Sequence, residues 1–220
     1  MTFKSISHAI SIWIIIIPLV AGFINYKGLN KDSRLIFFLV LIGVIPQMLT
    51  FIINEESPVL NYSYNIYTPV EFFIIRKLFS AKYQNKVNDH ILYYSAFAYA
   101  AISVIFLFTH DLKNEFINVW ACTNNLFYIL WILLYLQEQY NSENITISKK
   151  NPFSWYLMAF IIYAPCSLLV VSLYHYIRSA DNAFVNNLWI IQNLCNILLY
   201  VFFTIGLLIP KSININVNSA

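Results

Sequence analysis

Long apolar runs broken by short polar bridges dominate the chain. A bilayer core of about 30 Å needs about 20 apolar residues in helical form. Runs near that size recur seven times, at 6–26, 34–54, 64–81, 90–109, 115–138, 153–177 and 185–209. Lipid offers the backbone no hydrogen-bond partner, so each run is predicted to be an α-helix. The third run is the most polar, with Glu71, Arg76 and Lys77. A helix packed among neighbours tolerates such residues where a lipid-facing one does not. The expectation is an all-α fold: a seven-transmembrane-helix bundle forming one membrane domain over residues 1–211, followed by a polar tail, 212–220.

Charge sets the expected orientation. With the N-terminus outside, the cytoplasmic side holds Lys27, Lys31, Arg34, Arg76, Lys77, Lys82, Lys86, Lys149, Lys150 and Lys211, and the outer side holds Lys4, Lys113 and Arg178, ten against three. That is the positive-inside pattern for an N-out, C-in chain. Removing the third helix breaks the alternation after it, so the count supports that helix independently of its hydropathy. The first run closes on Phe23-Ile24-Asn25-Tyr26-Lys27, with no small-residue cleavage site, and reads as a retained membrane helix. Trp13, Trp120, Trp155 and Trp189 fall near run ends, as interfacial belts prefer.

Composition narrows the function classes. Hydrophobic residues make up 60% of the 220 and charged residues 10%, and mean hydropathy is +0.65. A soluble domain carries about 25% charged residues, so an ordinary cytosolic enzyme is excluded. A net charge of +3 spread over short loops makes no phosphate-tracking surface, which excludes nucleic acid as a partner. Cys122, Cys166 and Cys195 lie inside apolar runs without metal-ligand spacing. His8, His110 and His175 map to the outer rim with Asp111, Glu115, Glu55 and Glu56, and read as interfacial groups; no metal site and no cofactor are expected. The nucleophile elbow, the Gly-x-Gly-Asp motif and His-Glu-x-x-His are all missing from the chain, so enzyme chemistry is not indicated.

The candidate chemistry is a layer of intramembrane polar residues at one depth. At 1.5 Å per residue, Glu71, Asn124, Asn125, Gln192 and Asn193 fall roughly 9–14 Å below the outer boundary, and Gln47 roughly 10 Å below it. Tyr64, Tyr67, Thr68 and Glu71 share a helix face, as do Trp189, Asn193, Asn196 and Tyr200. The expected ligand- or ion-binding set is therefore Glu71, Gln47, Tyr67, Thr68, Asn124, Asn125, Gln192, Asn193 and Asn196. A carboxylate in hydrocarbon is costly, so Glu71 should face the bundle interior or a wet cavity. Pro18, Pro46 and Pro165 lie mid-run, and the last two are candidate hinges.

A faint repeat pairs runs 1–3 with runs 5–7 around a linker helix, a 3+1+3 arrangement. Gly43-Val44-Ile45-Pro46-Gln47 aligns with Ile162-Tyr163-Ala164-Pro165-Cys166, and Asn65-Ile66-Tyr67 with Asn187-Leu188-Trp189. PQ-loop carriers are similar in this plan and in Pro46-Gln47, although the second half has Pro165-Cys166. Microbial rhodopsins are similar in plan, yet the last run lacks the lysine their retinal needs. The third helix, Asn65-Ile66-Tyr67-Thr68-Pro69-Val70-Glu71-Phe72, resembles the Tyr-Thr-x-x-Glu-Phe helix of uncharacterised bacterial seven-helix membrane proteins. That resemblance implies a bacterial inner membrane and no particular activity. The expected partners are the lipid bilayer and a small polar solute, cation or proton held in an outward-facing pocket. A carrier is the leading expectation. The alternatives are a sensor signalling through a membrane or cytoplasmic partner protein, and a structural subunit of a complex.

Overall fold

The computed structural model describes residues 3–53, 57–113, 117–142, 147–173 and 183–209, and these contain helices and connections but no strand. The helices are α1 (Phe3–Trp13), α2 (Ile16–Asn25), α3 (Lys31–Ile52), α4 (Pro58–Ser80), α5 (Lys86–Thr109), α6 (Asn118–Asn141), α7 (Pro152–Ser172) and α8 (Ala183–Leu208), with a single 3-10 turn at Tyr26–Gly28. Glu55, Glu56, Glu115, His175, Arg178, Lys211 and the tail 212–220 lie outside the described residues.

Local chemistry fixes the helix starts. Asn30, Asn85 and Asn151 each turn a side-chain oxygen onto a free backbone N–H, of Ser33 at 2.8 Å, Val87 at 2.9 Å and Phe153 at 3.1 Å. Such caps satisfy donors that a helix N-terminus leaves open. Pro58 begins α4 six residues before the predicted 64, because proline at a first helical position gives up no needed N–H. The first predicted run is two helices. Pro18 has no N–H for the Ile14 carbonyl, which instead accepts from Ile17 N at 3.0 Å, and this tighter turn separates α1 from α2.

Six stretches are long and apolar enough to cross a bilayer: Ser5–Gly28, Lys31–Ile52, Lys86–Thr109, Asn118–Asn141, Pro152–Ser172 and Asn187–Leu208. The chain is a multi-pass helical membrane protein. Its outer face agrees, since large side chains such as Ile24 (76% exposed) and Phe108 (87%) point away from the bundle, as lipid permits and water penalises. The remaining long helix, α4, has 23 residues and is too polar to be counted with the six.

From α2 onward each helix packs on the next, and α8 returns to α1 and α2, so the bundle closes as a ring in chain order. Direct contact between α4 and α6 leaves α5 on the outside, against those two. The core between them is aromatic: Phe72 stacks on Tyr99 at 3.9 Å, with Trp131 at 5.1 Å from Phe72. Trp120, expected in an interfacial belt, is instead buried. Close approach also relies on small residues. Gly22 lies against the Phe37 ring and Gly206 against the Tyr156 ring. Cys166 and Cys195 join α7 to α8 through thiols 3.1 Å apart.

One end of the bundle is clamped by polar contacts. Lys82 pairs with Asp32 and sits 5.0 Å above the Phe153 ring. Tyr156 donates to Ser33 Oγ at 2.8 Å. Glu138 of α6 accepts from the Gln84 and Asn85 N–H groups at 2.6 and 3.0 Å and from Asn88 Nδ2 at 2.9 Å, tying down the α4–α5 connection. Such charge-assisted bonds are stronger than neutral ones. Tyr83 in that connection donates to the Trp131 carbonyl at 2.7 Å. Burial, followed by the nearby Glu138 charge, pushes its phenol pKa up and keeps the donor proton in place.

Candidate functional site

Helix α4 brings the only carboxylate of the predicted site into the bundle. Tyr64, Tyr67 and Glu71 follow at spacings of three and four, so they share one face of α4. That face meets α3, α7 and α8 around a cavity of about 80 Å³, lined by Gly43, Pro46, Gln47, Tyr64, Tyr67, Glu71, Tyr163, Asn196, Leu199 and Tyr200. At roughly 10–15 Å³ for each water, it has room for a handful. Past Glu71 the space narrows to about 10 Å³ among Leu39, Val40, Phe160, Leu199 and Phe203. Glu71 therefore stands at the floor of a polar chamber, on top of an apolar plug.

Hydrogen bonds fix what the chamber walls present. Gln47 Nε2 donates to the Ser11 carbonyl at 3.1 Å. Asn196 Nδ2 donates to the same carbonyl at 3.3 Å and to Ser11 Oγ at 2.8 Å. A carbonyl can only accept, so both amide nitrogens face Ser11. Thr50 Oγ1 donates to the Pro46 carbonyl at 2.9 Å and lies 3.0 Å from the Tyr64 hydroxyl, whose proton therefore points at Thr50. Among the described residues no donor lies within hydrogen-bond distance of the Glu71 carboxyl. Of the lining residues, none is Lys, Arg or His. Arg76, the nearest basic residue along α4, lies over the Tyr93 ring at 6.0 Å.

Four of the nine predicted residues, Glu71, Gln47, Tyr67 and Asn196, line this one chamber, together with Pro46. The other five make contacts between helices. Asn124 Nδ2 donates to the Thr68 carbonyl at 2.9 Å, and the Thr68 hydroxyl turns back to the Tyr64 carbonyl at 2.8 Å. Asn125 Nδ2 joins Ala121 O at 2.8 Å and Ser167 Oγ at 3.2 Å. Asn193 Nδ2 reaches Ser7 Oγ at 3.4 Å. Gln192 lies beside Tyr163 but does not line the chamber, and its Oε1 is buried without a partner. Pro165 is exposed on the far side of α7. Pro69 lies inside α4 between Tyr67 and Glu71, and the helix runs through it from Pro58 to Ser80.

The reading from sequence also missed Tyr163, Gly43 and Ser11. A signal for Ser11 exists: Ser7 and Ser11 are four apart in the first run, Asn193 and Asn196 three apart in the last, and they pair across α1 and α8. Asn65 is a structural clamp, donating to the Leu112 carbonyl at 2.9 Å and accepting from Ile117 N at 3.0 Å. Within the described residues no three His, Cys, Asp or Glu side chains gather as metal ligands do. Compared with protein-family models, curated proteins and solved structures, the chain matches none.

Proposed function

We propose that the chain is a small-solute carrier of a bacterial inner membrane, with the chamber around Glu71 as its binding site. The observation that carries this reading is the meeting of polar side chains from α3, α4, α7 and α8 at one cavity whose only acidic side chain, Glu71, has no hydrogen-bond partner among the described residues. Leaving an intramembrane carboxylate unpaired costs several kcal/mol, roughly. A ligand, a cation or a proton would offset that cost.

In this reading α4 is the seventh span, the N-terminus is outside and the C-terminus inside. The ten-to-three division of basic residues supports that orientation. It turns the polar chamber outward and the Leu39, Val40, Phe160 and Phe203 plug inward. Ring order supports a 3+1+3 arrangement. Contact of α4 with α6 and of α8 with α1 and α2 are the equivalent joints between two triplets, with α5 as the outlying linker. Pro46, at the chamber wall, is the hinge of this scheme. The Tyr67-Thr68-Pro69-Val70-Glu71-Phe72 resemblance supports the bacterial inner membrane.

Flux tests the reading. Full-length protein in liposomes loaded with a pH-sensitive dye, challenged with gradients of protons and of small polar solutes, should speed entry of at least one of them about tenfold or more. Gly43→Val, which puts a side chain beside the Tyr67 hydroxyl, where even a Cβ would lie 3.3 Å away, should return that rate to background. Binding without flux, with a protein partner that follows the bundle through purification, would replace the carrier by a sensor.

A further inference from the structure

We infer that the chamber takes a small protonated amine, an ammonium-type cation that donates hydrogen bonds to Glu71 and to the carboxamide oxygens of Gln47 and Asn196. This deepens the binding-site reading above and rests on it.

None of the lining side chains is positively charged, and the amide nitrogens of Gln47 and Asn196 are spent on Ser11. What these two residues leave for the chamber is Gln47 Oε1 and Asn196 Oδ1, which accept from no described residue. The Tyr64 hydroxyl lies 3.0 Å from Thr50 Oγ1 and forms part of the chamber wall. With the Glu71 carboxyl, acceptors from α3, α4 and α8 converge on one space. An anion would meet a like charge, with only phenol hydroxyls to donate to it; a cation bearing N–H groups would find charge and acceptors together.

The walls also choose among cations. Tyr64, Tyr67, Tyr163 and Tyr200 make four of the ten lining residues, and Leu199 and Pro46 add apolar surface. Organic ammonium groups gain from aromatic surroundings and present an apolar body to such walls. A bare alkali ion gains nothing from the apolar surface of Leu199 and Pro46. Size sets the limit: apolar cavities of roughly 150 Å³ take a benzene-sized molecule, so about 80 Å³ suits a ligand of a few heavy atoms, such as methylammonium.

The test uses the full-length protein in nanodiscs and follows its thermal midpoint and titration calorimetry with methylammonium chloride, potassium chloride, sodium acetate and acetamide at matched ionic strength. Methylammonium at saturation should raise the midpoint by at least about 3 °C, and the other three by less than a third of that. The shift should vanish in Glu71→Gln and, through steric filling, in Gly43→Val. A Gly43-sensitive shift with acetamide and none with methylammonium would overturn the amine assignment while leaving a binding chamber. An equal shift with potassium would overturn the selectivity for amines. No shift with methylammonium would overturn the proposal, and the flux assay on other solutes then decides separately whether the chamber binds anything.

Discussion

Glu71→Gln is expected to leave the bundle folded and to strip it of cation binding. Glutamine keeps the size of the side chain and removes the charge. The carboxyl makes no hydrogen bond within the described residues, so no packing contact depends on the charge. Its removal should even relieve part of the cost of burying it. Midpoint and elution profile should therefore stay at or slightly above wild type. Binding loses a hydrogen bond to a charged acceptor, about 1.5–3 kcal/mol, or roughly 10- to 150-fold in affinity. Titration of wild type and variant with methylammonium reads this directly. A variant that misfolds would instead mark Glu71 as a packing group, as polar side chains between membrane helices often are.

The second large effect is structural and lies at the other end of the bundle. A Cβ at Gly206 would fall 2.3 Å from Tyr156 Cε1 and 2.7 Å from Cζ. The Tyr156 ring is fully buried and its hydroxyl is held by Ser33 at 2.8 Å, so it has nowhere to swing without losing that bond. Gly206→Ala should cost about 1–3 kcal/mol for overpacking and about 1 kcal/mol for the displaced hydrogen bond. The thermal midpoint should fall by about 5–15 °C. Gly28→Ala is the matched control, because nothing lies within 4 Å of its added Cβ, and should change the midpoint little. Equal midpoints for the two variants would contradict the close packing of α7 on α8.

How much of this was legible in the sequence depends on which coordinate is asked for. Run length gave helices and their approximate bounds, because in lipid a long apolar run has few other options. Rise per residue gave depth, and depth drew attention to Glu71, Gln47 and Asn196. It says nothing of azimuth. Asn124, Asn125 and Asn193 are buried in contacts with other helices, with Thr68, Ser167 and Ser7 as partners. Thr68 illustrates the limit: one residue past Tyr67 it is turned about 100° around the helix, enough to leave the chamber for the α6 side. Tyr163 escaped because an aromatic residue in an apolar run carries no mark of which way it faces. Ser11 escaped because one hydroxyl among isoleucines is a weak signal until its partners, Gln47 and Asn196, are seen together.

Amine binding requires the Glu71 carboxyl to face a solvated chamber shared with Gln47 and Asn196. Carbodiimide labelling of the protein in its native membrane, mapped by peptide mass spectrometry with and without methylammonium, tests it most directly. An adduct on Glu71 whose yield drops several-fold when methylammonium is present, while labelling of Asp89 and Glu138 stays constant, is the predicted result. A Glu71 that never reacts, or reacts equally with and without the amine, would contradict it.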